Sequence, residues 1–360
     1  MSGHGLTVQR HVDLAPHGER VLFLSRAQAA HQLDQRLFTE KDLSLLLLQG
    51  IMTPAILALP RRSWRTLCSV TSALRTARKK RRHFSDLAAK VAAVLENPRE
   101  HETRALFAAI QRGLHERYMT YLAERMKRDA AVELIGAEHV QESLARGRGV
   151  LLWNTPSLAD TIITKRALAS AGFRAWQLSV YSHGFSQSRV ATKYLNPPQI
   201  AVENRHLDGR IWFKGPSAVA ATREVMRHLK AGRIVLCTNS LHAGSAFVAA
   251  PFAGAYHLVL PTTPLSIAAR SNVPLHLVTT VQSRPFEHHV CHVSADLLGT
   301  EPAAAHGDTD TQVAHLARGA SSMLYALLRD HPEQIRLWDR LMQPSDFNRA
   351  PGHANATADL

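Results

Sequence analysis

The sequence is short of cysteine, of acid and of long apolar runs, and each shortage narrows what the protein can be. Its three cysteines, Cys68, Cys237 and Cys291, are odd in number and widely spaced. That argues against a disulfide framework and against a cysteine zinc pattern, and it suits a reducing cytosol. The first 26 residues are polar and hold no signal-peptide apolar region, so export by the ordinary route is not expected. No uninterrupted stretch reaches the roughly 20 apolar residues needed to cross a bilayer. Leu43 to Leu59 comes nearest, but Gln49, Gly50, Thr53 and Pro54 interrupt it and Pro60 ends it. A segment lying in the membrane interface, or packed on the domain, is expected there. Trp64 beside Arg61, Arg62 and Arg65 suits such a position. No internal repeat is visible.

Acid is outnumbered. Forty-three Lys and Arg face 29 Asp and Glu, a net charge of +14, which suits a polyanionic partner such as an acidic membrane surface, RNA or an anionic carrier protein. The excess is clustered at Arg61, Arg62 and Arg65, and again at Arg75, Arg78, Lys79, Lys80, Arg81 and Arg82. Basic clusters beside an apolar helix read as contact with anionic lipid; a solvated helix face is the plain alternative.

At 360 residues, 45% of them apolar, the chain can hold a large α/β core with an appended helical part. Residues 1–40 are mixed and polar, with weak helical content. Ser85 to Arg128 is helical in pattern, with a break at Asn97-Pro98. A short strand and turn, Val132 to Gly136, precedes a helix that carries Ala137, Val140 and Leu144 inward and stops at Gly147. Val150 to Trp153 follows as a strand buried on both faces. Beyond it strands at Trp176 to Tyr181, Ile234 to Thr238 and Leu275 to Val281 alternate with helices at Ala218 to Lys230 and Pro264 to Ser271. Phe286 to Ala295 is expected at a sheet edge, Ala303 to Thr309 as a loop, Asp310 to Arg329 as a long helix, and the end from Pro344 as a frayed tail. The expected class is α/β: a mostly parallel twisted sheet flanked by helices, with an N-terminal helical, membrane-associating region. The expected divisions are a basic helical region at 1–84, an α/β domain at 85–342 and a flexible tail at 343–360.

Several segments in order carry a resemblance: Gly136-Ala137-Glu138-His139-Val140 with Gly147-Arg148-Gly149-Val150-Leu151-Leu152; Leu229-Lys230-Ala231-Gly232-Arg233-Ile234-Val235; Pro251-Phe252-Ala253-Gly254 with Ile267 to Leu275; and His331-Pro332-Glu333-Gln334-Ile335-Arg336-Leu337-Trp338. Together, over roughly residues 85–342, they resemble the lysophospholipid acyltransferase superfamily in its lipid A biosynthesis (lauroyl/myristoyl) branch. The resemblance implies transfer of a fatty acyl group from an acyl carrier protein or coenzyme A thioester to an acceptor hydroxyl, with no cofactor; with the altered site residues below, a lipid or a small-molecule hydroxyl or amine is the expected acceptor. It also implies a cytoplasmic protein, peripheral on the inner face of the cell membrane. The family's general base is a His separated by four residues from an acid, oriented to take the acceptor's proton.

This sequence departs from that pattern. The position falls at Thr155, Pro156 or Ser157, and only the register Thr155-x4-Asp160 keeps an acid. Asn239 stands where relatives usually carry an acid. Ser157 with Asp160 reads first as a helix N-cap and its first-turn acid, and second as a nucleophile or hydrogen-bond donor with an acid that orients a base from elsewhere. Candidate bases are His183 and His242, each after a strand-like run. Gly244, Phe252 and Gly254 are expected to shape the acyl or acceptor groove, and Arg284 to meet a phosphate or face solvent. His288, His289 and His292 alternate across a strand and are not expected to bind metal. A catalytically inactive homologue that binds lipid or a partner is a second reading. An aminoacyl-tRNA donor is a third, resting on charge without any RNA-binding motif.

Overall fold

The computed structural model describes residues 5–14, 18–26, 36–76, 80–159, 162–180, 183–213, 219–238, 244–300 and 308–348. The chain opens with an antiparallel hairpin, β1 (Leu6–Leu14) and β2 (Glu19–Arg26). Four helices follow: α1 (Glu40–Ala58), α2 (Trp64–Thr76), α3 (Lys80–Val94) and α4 (Glu100–Arg125). Then come β3 (Ala131–Ile135), α5 (Ala137–Ala145), β4 (Val150–Asn154), α6 (Ile163–Ser170), β5 (Ala175–Val180), α7 (Asn196–Asn204), β6 (Leu207–Phe213), α8 (Val219–Lys230) and β7 (Ile234–Thr238). The last third holds β8 (Ala246–Ala253), β9 (Tyr256–Pro261), α9 (Thr262–Ser271), β10 (Leu275–Arg284), β11 (His288–Val293), α10 (Leu297–Thr300), α11 (Thr309–Asp330) and β12 (Leu341–Met342).

A seven-stranded sheet in the order β3-β11-β10-β4-β7-β5-β6 forms the centre, parallel except where β10 meets β11. The expected α/β class with a mostly parallel sheet is therefore what the chain adopts. The apolar run of β4 is buried on both faces for a simple reason. Leu151 and Trp153 point into the core shared with α8, α9 and α11, while Val150 and Leu152 point to the side covered by α5 and α6. Gly149 makes this entry possible: a Cβ there would lie 2.5 Å from the Arg233 carbonyl oxygen.

A second sheet, β1-β2-β8-β9-β12, is antiparallel throughout. The reading of residues 1–40 as weakly helical is corrected by the hairpin, whose Val21 and Phe23 join the main core while Leu22 and Leu24 face the other way. Two further expectations change. The strand at 288–293 lies inside the sheet between β10 and β3, because β3 adds beyond it and takes the edge. The chain after Pro344 begins packed: Phe347 is buried, and Asn348 bonds to Leu6 and Val8. The expected loop at 303–309 falls largely outside the described residues, as does the tail beyond 348.

Candidate functional site at the carboxyl edge of the sheet

From β4 the chain passes to β5 and β6 on one side; β7 then fills the place between β4 and β5, and β10 falls on the other side of β4. Such a reversal leaves a crevice outside the carboxyl ends of the strands, where open α/β sheets place ligands. Two sets of polar side chains gather there.

The first set closes the bend after β4. Thr155 bonds through its N–H to the Val278 carbonyl (2.8 Å), and its hydroxyl accepts from Thr279 (2.9 Å). Ser157 has no exposure, and its oxygen accepts from the N–H of Ala159 at 3.3 Å. The segment from the C-terminal part of the chain zips over the bend: Leu158 N–H donates to Gln334 (3.1 Å), Arg336 N–H to Pro156 (2.8 Å), and Ser157 pairs with Ile335 as an isolated bridge. Behind them Thr164 bonds to Thr280 (2.8 Å) and to Asn154 (3.4 Å). The N-cap expected at Ser157 is not formed, because α6 begins only at Ile163 with Ile162 before it; the Ser157 hydroxyl caps a tight turn instead. Thr155 and Ser157 are thus buried, with both hydroxyls engaged in hydrogen bonds. Asp160, the other half of the expected motif, lies outside the described residues.

The second set surrounds Glu203, a carboxylate with no exposure at the end of α7. Lys165 Nζ, from the first turn of α6, donates to its Oε2 at 2.5 Å; Arg210 Nη2, from β6, donates at 2.6 Å; Gln199 Nε2, one helical turn back, donates to Oε1 at 3.0 Å. His183 brings Nε2 within 2.9 Å of both carboxylate oxygens. Arg210 is fixed in turn by Ser179 (2.8 Å) on β5 and Asn204 (2.6 Å). Burial opposes ionisation of Glu203, but His183, Lys165 and Arg210 outweigh it and hold the carboxyl well below its ordinary range. Lys165 and Arg210 are 1% and 3% exposed, whereas His183 retains 17%. The imidazole is the most exposed member of the cluster.

Three elements position that imidazole. His183 N–H bonds to Val180 as the chain leaves β5. The next residue, Gly184, has φ +148°, and a Cβ there would fall 2.0 Å from Asn196 Cγ, so only glycine fits. Asn196 then donates to the Ser186 carbonyl at 2.7 Å.

The remaining expected site residues are dispersed. His242 and Asn239 lie outside the described residues. Gly244 (φ +101°) sits in the loop between β7 and β8. Phe252 is at the far end of β8, edge-on to Tyr325 of α11 at 5.4 Å, and Gly254 makes the β8–β9 turn beside Ala93 of α3. Both are packing and turn residues. Arg284 is exposed at the end of β10. His289 is fully buried while His292 is exposed, so the three-histidine group is split across the strand. Of the expected set, the structure gives only His183 an acidic partner among the described residues. Glu203, Lys165, Arg210 and Gln199 were not singled out in the sequence. A signal existed: the buried face of α7 carries Asn196, Gln199 and Glu203, three polar residues at i, i+3 and i+7.

Comparison of the chain with protein-family models gives no match, and no curated protein matches it.

Proposed function

We propose that the protein is an acyltransferase-type enzyme in which His183, oriented by Glu203, takes the place of the family's His-x4-acid base. The observation that carries this reading is the imidazole 2.9 Å from both oxygens of a buried, ionised carboxylate at the carboxyl edge of a parallel sheet. With Nε2 donating to Glu203, the nitrogen left to accept a proton is Nδ1. The acceptor's hydroxyl or amine attacks the thioester carbonyl carbon, His183 Nδ1 takes the proton, the C–S bond breaks, and the proton passes to the departing thiolate. An amine acceptor asks less of the base, since a neutral nitrogen attacks before it loses its proton. Incubation of the full chain with acyl-coenzyme A or acyl carrier protein and cell extract, read by mass spectrometry, tests this. Acylated product that disappears in His183→Gln supports the reading; unchanged product in that variant removes it.

The location proposed is an anionic membrane surface on the cytoplasmic side, with α1 as the contact. By length and composition α1 could cross a bilayer, but 33% of its most apolar stretch is buried in the protein. Its inner side, Leu48, Met52, Ala55 and Ile56, packs with α2 and α4. After Glu40 in the first turn, its outer side is Leu43, Leu46, Leu47, Gly50, Ile51, Pro54, Leu57 and Ala58, all exposed and none charged. At 100° per residue these form one stripe, and Leu47 and Leu57 are 59% and 66% exposed. An apolar stripe of this length supports a helix lying in the interface plane. Arg62 and Arg65 are exposed just beyond its end; of the second basic cluster, 77–79 and the side chains of the others lie outside the described residues. Leu47→Asp should weaken co-sedimentation with phosphatidylglycerol vesicles by about tenfold or more.

A non-catalytic homologue that binds lipid is the second reading. The sealed bend after β4 favours it, because the position that holds the base in relatives is closed by backbone pairing.

A further inference from the structure

The strands β10, β4, β7, β5 and β6 are neighbours in that order and all enter the sheet at the end opposite His183. The turns that lead into them are basic. Arg270 precedes β10, Arg148 precedes β4, Lys230 and Arg233 precede β7, and Arg205 precedes β6, all of them exposed. Arg146, Arg174 and Arg227 stand in the same turns but are paired with acid: Asp296 at 3.4 Å, Asp208 at 3.1 Å and Glu224 at 3.2 Å. Apart from Asp208, no acid occurs in the stretches 146–149, 171–174, 205–208, 227–233 and 270–273.

Three of the five remaining cations are held by neutral partners, which fixes them without cancelling their charge. Arg148 Nη1 donates to the Asn272 carbonyl (3.1 Å) and Arg205 Nη1 to the Glu124 carbonyl (3.5 Å). Arg233 Nη1 meets His228 Nδ1 at 3.1 Å, and its guanidinium lies 5.7 Å from the centre of the Trp176 ring. Burial, then Arg233 and Arg227, push the His228 imidazole down, so it stays neutral near pH 7. Lys230 and Arg270 have no acidic partner among the described residues. The turns are also fixed to one another. Gly149 N–H bonds to the Leu229 carbonyl (2.9 Å), Val150 N–H to Arg233 (3.2 Å) and Leu151 N–H to Pro274 (3.0 Å), while Arg174 Nη2 donates to the Arg205 carbonyl (3.3 Å). Cations in a last helical turn complement the helix dipole, and Lys230 and Arg270 do so for α8 and α9. Arg148 and Arg233 lie past the ends of α5 and α8, where that account no longer requires them.

We infer that this amino edge of the sheet binds the phosphate backbone of single-stranded nucleic acid. Neighbouring strands lie about 4.8 Å apart, so the four steps from β10 to β6 make a row of about 19 Å. A nucleic-acid strand carries one phosphate per about 3.4 Å of helix axis, about five over that length. Two other polyanions fit less well. The stretch ahead of α1 bonds through the Arg36 and Leu37 carbonyls to Arg189 and Val190, beyond the carboxyl end of β5. Trp64, just past α1, meets Phe286 beyond the end of β10 at 5.6 Å. A bilayer under α1 therefore lies toward the carboxyl end of the strands and leaves the amino edge uncovered. An acidic carrier protein on the row would hold its thioester at the wrong end of strands such as β4, whose five residues span about 17 Å. The surface is independent of the base assigned to His183.

Fluorescence anisotropy of a labelled single-stranded RNA of about 20 nucleotides, titrated with the full chain, tests the assignment. Five contacts predict a slope of log affinity against log salt near −3.5, about a hundredfold loss between about 50 and about 200 mM KCl. DNA of the same sequence should bind within a few-fold, because the contacts are to the backbone. Lys230→Gln/Arg270→Gln touches no described ion pair; it should weaken binding about tenfold or more at about 100 mM KCl and make the slope shallower by about 1.4. Affinity that survives this pair and is lost in Arg78→Gln/Arg81→Gln overturns the inference, as does failure of both RNA and DNA to bind at about 50 mM KCl. Poly-glutamate that displaces the RNA as well as unlabelled RNA does, at equal charge, reassigns the row to acidic proteins and overturns it. Loss of sedimentation with phosphatidylglycerol vesicles in Lys230→Gln/Arg270→Gln reassigns it to lipid and does the same. Acyl transfer lost or kept in His183→Gln bears on the proposed base alone.

Discussion

Glu203→Gln isolates what the buried cluster is worth. The carboxamide keeps the shape of the side chain and removes its charge. In the wild type one carboxylate serves Lys165 at 2.5 Å and Arg210 at 2.6 Å, both nearly fully buried, and His183 at 2.9 Å. After the change two cations remain in the interior without a counter-ion, facing an amide that offers donors of its own. Removing one partner from a buried ion pair costs about 3–5 kcal/mol, against a total stability on the order of 5–15 kcal/mol. Lys165→Met leaves the carboxylate with Arg210 and His183 and should cost less. The double variant Glu203→Gln/Lys165→Met should recover part of the loss, because one orphaned cation is gone. Urea unfolding at neutral pH, followed by circular dichroism, reads all three. The effect must also depend on pH in one direction. Because the folded carboxyl titrates well below its ordinary range, acid protonates the unfolded chain first. The stabilisation is complete above about pH 4.5 and drains away as pH falls toward the folded value. The gap between wild type and Glu203→Gln should thus be flat above about pH 6 and narrow in acid. A loss below about 1 kcal/mol, or a double variant less stable than Glu203→Gln alone, would refute the assignment of the cluster as a strongly coupled ionic unit.

Ser157→Ala removes one long hydrogen bond at a buried turn and should cost about 1 kcal/mol with acyl transfer kept within a few-fold. His183→Gln should lower transfer by about a hundredfold or more, both measured by product formation. Burial, with Asp129 adding to it against the pull of Arg166, pushes the Glu124 carboxyl up to about 7. The folded form holds its proton longer than the unfolded chain, so wild-type stability should fall as pH rises from about 4.5 to about 7. Glu124→Gln should flatten that slope in urea midpoints. His289 is pushed down to about 3 by burial, then by Arg166 and His288, and neither ring nitrogen has a hydrogen-bond partner among the described residues. The unfolded chain takes up this proton first below about pH 6.5, so His289 costs stability increasingly in acid. His289→Leu should raise the thermal midpoint, and by more at pH 5 than at pH 8.

The central layer was legible because burial on both faces writes itself as apolar runs. Val150 to Trp153, Ile234 to Thr238 and Leu275 to Val281 all fall on observed strands. The second sheet was not, although part of its pattern is present. Leu6, Val8, Val12 and Leu14 alternate, but a register shift between Val8 and Arg10 breaks the count. The outer positions of β1 carry Gln9, Arg10, His11 and Asp13, so the strand looks like polar filler. Beyond β2, its inward residues are covered from more than 200 residues away: Leu6 clusters with Phe247 and Ala249 of β8, and α11 lies against the strand. Periodicity measures a local face; it cannot say that a distant partner exists to cover it.

The buried cluster is illegible in the sequence for a related reason. A motif with a fixed spacing after one strand, such as Thr155-x4-Asp160, can be recognised from sequence. The structure puts the nearest thing to a base–acid pair elsewhere, using five residues from four places: Lys165 on α6, His183 after β5, Gln199 and Glu203 on α7, Arg210 on β6. None is spaced from another in a way chemistry dictates, apart from the Gln199–Glu203 helical turn. Yet the two locations are joined along the chain, since Lys165 lies in the first turn of the helix that follows the bend. Closing the bend with the Gln334–Arg336 segment fixes the start of α6, and so fixes the ammonium that holds Glu203 in place. The buried turn at the end of β4 thereby supports the cluster beyond β5. The C-terminal segment is then a determinant of His183 geometry: cutting the Leu158–Gln334 and Arg336–Pro156 pairing should disturb Lys165 before it disturbs any strand.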